Sequence, residues 1–358
     1  MRVVAAKIGL SRAHEPDPRS AMITASSVSR LSSPEHDWRQ LWRQAITDPA
    51  ELLCAVGLSD RLDLIPNDDA GFALRVPRGF VARMRWGDAN DPLLLQVLPR
   101  VAEHDQLEGY TIDAVGDMEA RAAQGVLHKY RGRALLIASG SCAINCRYCF
   151  RRHFPYAEEM AAAGQWRQAL EHLRSDVSIS ELILSGGDPL ALATSKLEEL
   201  SHGLADLSHV TRLRIHTRLP VVLPERIDAP LLAWLTSLPL QKVIVLHANH
   251  ANEIDTSVEA ACNRLRDAGV TLLNQSVLLR DINDDAATLA ELSERLFAAG
   301  VLPYYLHQLD RVQGAAHFEV DDSRALALVE SLRTRLPGYL VPKLVREVGG
   351  DASKRPLS

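Results

Sequence analysis

The sequence of 358 residues lacks any apolar run long enough to cross a bilayer, and its N-terminus lacks the apolar core of a secretion signal. The formal net charge of −5 is small and gives no sign of a surface that attracts nucleic acid or a membrane. We therefore expect a cytoplasmic protein with no membrane or nucleic-acid partner. Residues 1–35 combine weak hydrophobic periodicity with many Ser, Pro and Arg residues, which predicts a disordered leader. A further hypothesis is that translation starts at Met22 instead of Met1.

Cysteine is scarce and unevenly placed. Five cysteines, an odd number, argue against a disulfide framework. Cys142, Cys146 and Cys149 fall within eight residues as C-x3-C-x2-C, whereas Cys54 and Cys262 are isolated. A structural zinc ion needs four ligands, and no further Cys or His pair follows at ligand spacing. The spacing favours a [4Fe–4S] cluster held by three thiolates, which leaves one iron open; structural zinc and incidental cysteines are the alternatives.

After Arg133, short β-rich apolar runs alternate with longer amphipathic stretches. The runs lie at 134–139, 181–188, 212–218, 242–249, 271–279 and 302–310. Such alternation predicts an α/β fold, with a parallel sheet and helices outside it. Six units are too few for a closed eight-stranded barrel, so we expect a partial (β/α)6 TIM-like barrel, with a doubly wound sheet as the alternative.

We place three domain boundaries around these units. Residues 36–127 carry helical spacing broken by prolines and predict a mostly helical N-terminal region. The barrel core is expected at 128–312, and residues 313–358 form a C-terminal tail that closes over the site.

Each predicted strand ends in groups that bind ligands or ionise. Besides the three-cysteine loop, these groups lie at 185–188, 216–218, 247–250, 274–275 and 307–310. Chemistry in β/α barrels takes place at the C-terminal ends of the strands. The pattern therefore predicts a large polar site in the barrel mouth.

The three-cysteine loop after a first strand, with Tyr148 before its last cysteine, resembles the cluster loop of the radical S-adenosylmethionine (SAM) enzymes. The segment 185–189, Ser-Gly-Gly-Asp-Pro, resembles their glycine-rich SAM motif, in which glycine lets the backbone approach a ligand closely. The resemblance implies that the open iron binds the amino and carboxylate groups of SAM. One electron then cleaves SAM to a 5′-deoxyadenosyl radical.

Lysine is rare, with six lysines against 34 arginines. An enzyme that uses pyridoxal phosphate (PLP) needs one lysine for its Schiff base. Lys7 lies in the predicted leader, Lys196 on an outer helix and Lys242 at the wrong end of a strand. Lys354 follows Gly349–Ser353, a flexible segment near the C-terminus. On composition alone, Lys354 is expected to be an ordinary solvent-exposed lysine of the tail.

From about Leu127 to Lys354 the chain resembles the lysine 2,3-aminomutases, which are radical SAM enzymes that also use PLP. The similar segments include 128–133, 149–152, 219–226, 249–253, 274–279, 303–305, 308–310 and 339–354. The resemblance implies an isomerase that converts L-α-lysine to (R)-β-lysine. The deoxyadenosyl radical removes a hydrogen from the β-carbon, the nitrogen migrates through a PLP-stabilised azacyclopropyl radical, and the hydrogen returns.

The resemblance also implies roles for individual residues. The cluster ligands are Cys142, Cys146 and Cys149. The SAM-binding residues are Ser185, Gly186, Gly187, Asp188, His247 and Gln275. The PLP-binding residues are Lys354, which carries the cofactor, and Lys129 and Arg133, which hold its phosphate. The substrate-binding residues are Arg151 for the carboxylate, and Asp310 and Glu347 for the ε-ammonium.

The sequence departs from the clostridial-type aminomutases at two positions and in length. Glu347 stands where they carry Asp, Asp285 stands at a zinc-binding cysteine, and four residues follow Lys354 in place of a zinc-binding extension. This shorter form resembles the aminomutases that serve elongation factor P (EF-P), whose β-lysine a lysyl-tRNA-synthetase-like ligase attaches to EF-P. We expect the same role here, with a flavodoxin or ferredoxin as reductant.

Two alternatives stay open. An aminomutase of the same family could act on lysine or another amino acid, such as glutamate, for osmolyte or antibiotic synthesis. A non-catalytic iron–sulfur electron-transfer protein is the other, although it needs neither an open iron nor a tail lysine.

Overall fold

The computed structural model describes residues 37–68, 71–164 and 166–358. The predicted leader at 1–35 and the alternative start at Met22 lie outside these residues. In the described part of the chain, every helix is too short or too polar to cross a membrane.

One ten-stranded sheet carries the fold, and its strands follow one another in chain order. They are β1 (Arg121–Ala123), β2 (Val126–Tyr130), β3 (Arg133–Ser139), β4 (Glu181–Gly186), β5 (Arg212–Thr217), β6 (Gln241–His247), β7 (Val270–Val277), β8 (Leu302–His307), β9 (Lys343–Arg346) and β10 (Arg355–Pro356). Strands β3 to β9 are parallel, whereas β1, β2 and β10 add antiparallel pairs at the two ends. In the described residues β1 pairs only with β2 and β10 only with β9, so the barrel is open.

Ten α-helices lie in the described residues. They are α1 (Trp38–Arg43), α2 (Pro49–Ala55), α3 (Arg78–Val81), α4 (Arg167–Ser175), α5 (Thr194–Leu204), α6 (Leu219–Val222), α7 (Ala229–Ser237), α8 (Thr256–Asp267), α9 (Ala286–Ala298) and α10 (Asp322–Arg335). From α4 onward, each of the parallel strands β3 to β8 is followed by one or two of them. The aspartates at 255 and 285 begin α8 and α9, where their carboxylates accept hydrogen bonds from first-turn amides. Asp285 therefore acts as a helix cap.

The partial barrel predicted from six β/α units is confirmed. Strands β3 to β8 occupy the six predicted apolar runs within a few residues at each end. The doubly wound alternative is wrong, because its strand order reverses about a central strand and this sheet keeps chain order. Strand β9 adds a seventh parallel strand that the sequence patterns did not predict. The domain boundaries stay a prediction; the region 36–127 contains three short helices, β1 and the start of β2.

Alternation along the strands separates residues that face the inside of the barrel from residues that pack beneath the helices. In β4, Leu182 and Leu184 join the hydrophobic core beneath the helices, whereas Ile183 and Ser185 face the inside of the barrel. In β5, the inward position next to the strand end is His216. The inner face thus holds the functional groups while the outer face stabilises the fold.

Candidate active site

The barrel encloses a cavity of about 910 Å³. Every residue that the sequence analysis assigned to the cluster, SAM, PLP or the substrate lines this cavity. The volume lies near the upper end of the range for ligand pockets, and it suits several ligands better than one small molecule. The sequence patterns therefore identified parts of a single site.

The three cysteines lie on the loop that follows β3, and all three are partly buried. Neighbouring residues anchor the loop: the amide N of Asn145 donates to the carbonyl O of Arg75 at 3.0 Å, and the fully buried Arg147 pairs with Glu103. Burial raises the pKa of Cys149 to about 11 and that of Cys142 well above its usual value. Thiolates at these positions need a compensating positive charge, which bound iron supplies.

Single-ion geometry is absent from this loop. Among the described residues, no three His, Cys, Asp or Glu side chains converge as ligands of one metal ion do. The three thiolates of a cubane bind three different irons and do not converge on one point. The arrangement is therefore compatible with a cluster.

The glycine motif at the end of β4 packs directly against the cluster loop. A Cβ on Gly186, whose φ is +112°, would lie 2.6 Å from the carbonyl O of Ser139, and a Cβ on Gly187 would lie 2.7 Å from that of Ser141. The Gly187 amide also donates to the Ser139 carbonyl at 2.6 Å. These glycines are thus required first for contact between two backbones, and the sequence analysis considered only approach to a ligand.

Asp188 connects the glycine motif to the neighbouring strand. Its carboxylate accepts from Thr217 Oγ1 at 2.7 Å and from the amides of Leu190, Arg218 and Leu219 at 2.8–3.1 Å. Burial nevertheless raises its pKa to about 6. With four protein donors already bound, its side chain holds the loop after β4 against the end of β5.

A second buried network lies between the cysteines and the ends of β5 and β6. Arg218 Nη1 is 2.6 Å from Cys146 Sγ, and its Nη2 donates to Glu253 at 2.8 Å. Tyr148 Oη lies 2.8 Å from both Arg218 Nη1 and His247 Nε2. The sequence analysis named His247 but gave no role to Arg218 or Glu253, although the His-Thr-Arg strand end placed Arg218 in the barrel mouth.

Charged side chains on the other side of the cavity form a continuous chain. Arg151 Nε donates to Asp117 Oδ2 at 2.6 Å, and Asp117 Oδ1 lies 2.6 Å from Lys129 Nζ. Lys129 Nζ then contacts Glu347 Oε1 at 3.1 Å, and the other oxygen of Glu347 pairs with Lys354. The chain brings together four residues that the sequence analysis assigned to PLP or substrate. Asp117 was missed, because it lies in an irregular segment with no motif.

Among the described residues, the buried polar atoms of the cavity wall that have no hydrogen-bond partner include His216 Nε2, His307 Nε2 and Asp310 Oδ1. Burial lowers the pKa of both histidines well below its usual value, so their rings are neutral. Burial, reinforced by the charge of Glu347, raises the pKa of Asp310 to about 7. Since buried polar atoms are almost always paired, these three are placed to meet a polar ligand.

Arg133 lies at the opposite end of β3 from the cysteines. Its guanidinium sits over the ring of Tyr130, 4.6 Å from the centroid, and no carboxylate in the described residues pairs with it. It therefore keeps donors for an anion inside the barrel, as a PLP phosphate requires.

Comparison with known proteins identifies the family. The chain is 49% identical to the L-lysine 2,3-aminomutase of Escherichia coli K12, over 92% of this chain and 97% of that protein. The chain belongs to the L-lysine 2,3-aminomutase family. Family members from Haemophilus influenzae and Clostridium subterminale are 45% and 31% identical, over 89% and 90% of this chain and 95% and 78% of theirs. The resemblance to the lysine 2,3-aminomutases is confirmed.

Other comparisons add less. A radical SAM methyltransferase from Sphaerobacter thermophilus matches with a TM-score of 0.45 and 18% identity, over 62% of this chain and 68% of that one. No protein-family model matches the chain.

Proposed function

We propose that this chain is an L-lysine 2,3-aminomutase that converts L-α-lysine to (R)-β-lysine with a [4Fe–4S] cluster, SAM and PLP. One observation carries the proposal: a single cavity is lined both by the three-cysteine loop and by Lys354 with its charged partners. Family membership, at 49% identity to an enzyme of that name, supports the same activity.

Cys142, Cys146 and Cys149 hold the cluster in this proposal, and SAM lies beside them. The backbone at Gly186 and Gly187 forms the floor of the SAM site, while His247 and Gln275 reach it from β6 and β7. When bound, the cluster and SAM supply a radical that abstracts hydrogen. The protein's own task is to hold the ligands in register and to keep other hydrogen donors away.

Lys354 carries PLP, which supplies the π system that makes nitrogen migration feasible. Arg133 is the better candidate for the phosphate, because Lys129 already has three oxygen neighbours in Val115, Asp117 and Glu347. An ammonium group has only three donors, so little is left of Lys129 for a phosphate. The family resemblance implied that Lys129 also holds the phosphate, and our proposal assigns the phosphate to Arg133 instead.

The substrate spans the charged side of the cavity. Arg151 uses Nε for Asp117 and one Nη1 hydrogen for Ser185 Oγ at 3.0 Å, so three of its five N–H groups remain for a carboxylate. Asp310, whose Oδ1 has no partner in the described residues, offers the contact for the ε-ammonium. Glu347 adds negative charge nearby, while Lys129 and Lys354 hold its two oxygens. Two opposite charges at the two ends of the substrate select a diamino acid over glutamate, which has an acidic side chain.

We also propose that the β-lysine is used to modify EF-P, through a separate lysyl-tRNA-synthetase-like ligase, and that a flavodoxin or ferredoxin supplies the electron. The resemblance of the sequence to the aminomutases that serve EF-P supports this narrower assignment. Purified EF-P and the ligase, given the enzyme's product, test the assignment: EF-P should gain the mass of one β-lysyl group.

Anaerobic incubation of the reconstituted enzyme with SAM, PLP, a reductant and L-lysine tests the activity. We expect 5′-deoxyadenosine and β-lysine, and no β-amino acid when L-glutamate replaces L-lysine. If a sample with full iron and PLP content produces neither compound, the proposal is wrong.

Arg151→Lys tests the carboxylate site. A point charge replaces a planar fork, so we expect the KM for L-lysine to rise about tenfold or more while iron and PLP content stay unchanged. Wild-type kinetics in this variant would remove Arg151 from the proposed site.

A further inference from the structure

Asp117 belongs to the chain of charges from Arg151 to Lys354 and has no role in the proposed chemistry. Its side chain is almost fully buried, with 1% of the residue exposed. Both of its oxygens meet cations, Arg151 Nε and Lys129 Nζ, each at 2.6 Å. The two cations hold its pKa below the usual range even though burial alone would raise it. Asp117 is therefore a fixed negative charge.

Lys129 transmits the position of Asp117 to the lysine that carries PLP. Its ammonium is held by the Val115 carbonyl at 2.8 Å, by Asp117 and by Glu347 at 3.1 Å. Glu347 in turn pairs with Lys354 through its second oxygen. The two lysines hold the pKa of Glu347 far below its usual range, so this carboxylate is also a fixed charge. Three cations and two anions alternate without a gap.

We propose that Asp117 is a positioning residue that holds the carboxylate-binding Arg151 and, through Lys129 and Glu347, the PLP-carrying Lys354 in one charge network. This inference rests on the proposed function and deepens it. Asp117 fixes the Nε edge of Arg151, which leaves the outer N–H groups aimed at the substrate. Lys129 acts as the central link and binds no ligand itself.

Asp117 and Lys129 carry opposite charges, so removing each charge should shift the pKa of the lysine–PLP nitrogen in opposite directions. Asp117→Asn removes a negative charge from the network, so the pKa of the protonated lysine–PLP nitrogen should fall. Lys129→Met removes a positive charge, so the same pKa should rise. The measurement is the absorbance of lysine-bound PLP against pH, which needs no turnover.

The kinetic readout separates Asp117 from Lys129. In Asp117→Asn the KM for L-lysine should rise about tenfold or more with a smaller change in kcat, because a buried charge-assisted partner of Arg151 is lost. In Lys129→Met the KM should rise less, because Asp117 still holds Arg151. Asp255→Asn is the matched control: Asp255 pairs with Arg83 at 3.4 Å, caps α8 and does not line the cavity. It should leave the KM and the pH profile unchanged.

The outcomes decide between the claims. No β-lysine from the wild-type enzyme contradicts the proposed function, whereas the absorbance profiles still test the network. Profiles that do not shift, or that shift in the same direction in Asp117→Asn and Lys129→Met, overturn the positioning role. If both variants fail to fold while Asp255→Asn folds, Asp117 is a structural residue and the inference is wrong.

Discussion

The guanidinium of Arg218 is in direct contact with a cluster-loop thiol: Nη1 lies 2.6 Å from Sγ of Cys146. Arg218 is 7% exposed, and the fully buried carboxylate of Glu253 holds its other edge at 2.8 Å. A positive charge is thereby fixed beside one ligand of the proposed cluster. Hydrogen bonds to cluster sulfurs and nearby charges are among the features that set cluster reduction potentials.

Arg218→Gln should make the cluster harder to reduce. Reduction adds negative charge, which the guanidinium stabilises, so its loss should move the midpoint to a more negative potential. Anaerobic redox titration followed by electron paramagnetic resonance measures the change. Arg333→Gln, which breaks an exposed pair on α10, is the control. Equal midpoints in the Arg218 and Arg333 variants would show that the contact does not tune the cluster.

Local sequence patterns predicted the strands with long apolar runs. Strands β4 to β8 each have six to eight residues, long enough for inward and outward positions to alternate visibly in the sequence. Helical segments separate these strands along the chain. Strands β1, β9 and β10 have three, four and two residues, which is too short for any periodicity. Their pairing depends on neighbours that are distant in sequence, so composition gave no signal.

The candidate site divides in the same way. The cysteine spacing and the glycine motif are local signals, because the residues of each lie within one short segment of the sequence. Asp117 meets Arg151 across 34 residues of sequence, and Lys129 meets Glu347 across 218. Only the folded sheet brings these pairs together. Sequence patterns therefore pointed to residues that line the cavity but missed Asp117, the carboxylate that links Arg151 to Lys129.

Lys354→Ala should abolish the absorbance of lysine-bound PLP. Lys354 lines the cavity and its ammonium pairs with Glu347, the residue that follows β9. Lys343 also lines the cavity but starts β9, so Lys343→Ala is the matched control and should keep the band. Loss of the band in the Lys343 variant alone would move the PLP assignment to Lys343.

The activity should depend on the charge of Asp310. Burial raises its pKa to about 7, so the carboxylate that attracts an ammonium group is present only above about that pH. As the pH falls through 7, Asp310 gains a proton and kcat/KM for L-lysine should fall, by about tenfold per unit well below the pKa. Asp310→Asn should have low activity and should lack this acidic limb. An unchanged limb in that variant would assign it to another group.

Gly187→Ala tests the contact between the glycine motif and the cluster loop. The added Cβ would lie 2.7 Å from the Ser141 carbonyl O and 2.9 Å from the carbonyl C of Gly140, both in the loop backbone. We expect lower iron content after anaerobic reconstitution and a loss of about 1–3 kcal/mol in the free energy of unfolding, as for other overpacked sites.

Gly79→Ala is the matched control, because a Cβ there would meet no atom within 4 Å. It should change the free energy of unfolding by less than about 0.5 kcal/mol and leave the iron content at the wild-type level. The loop backbone must move if Gly187→Ala is to fit, and the cysteines at 142 and 146 move with it. Full iron content in Gly187→Ala would therefore show that the loop yields without disturbing the cysteines, and that close packing at this glycine is not needed for the cluster site.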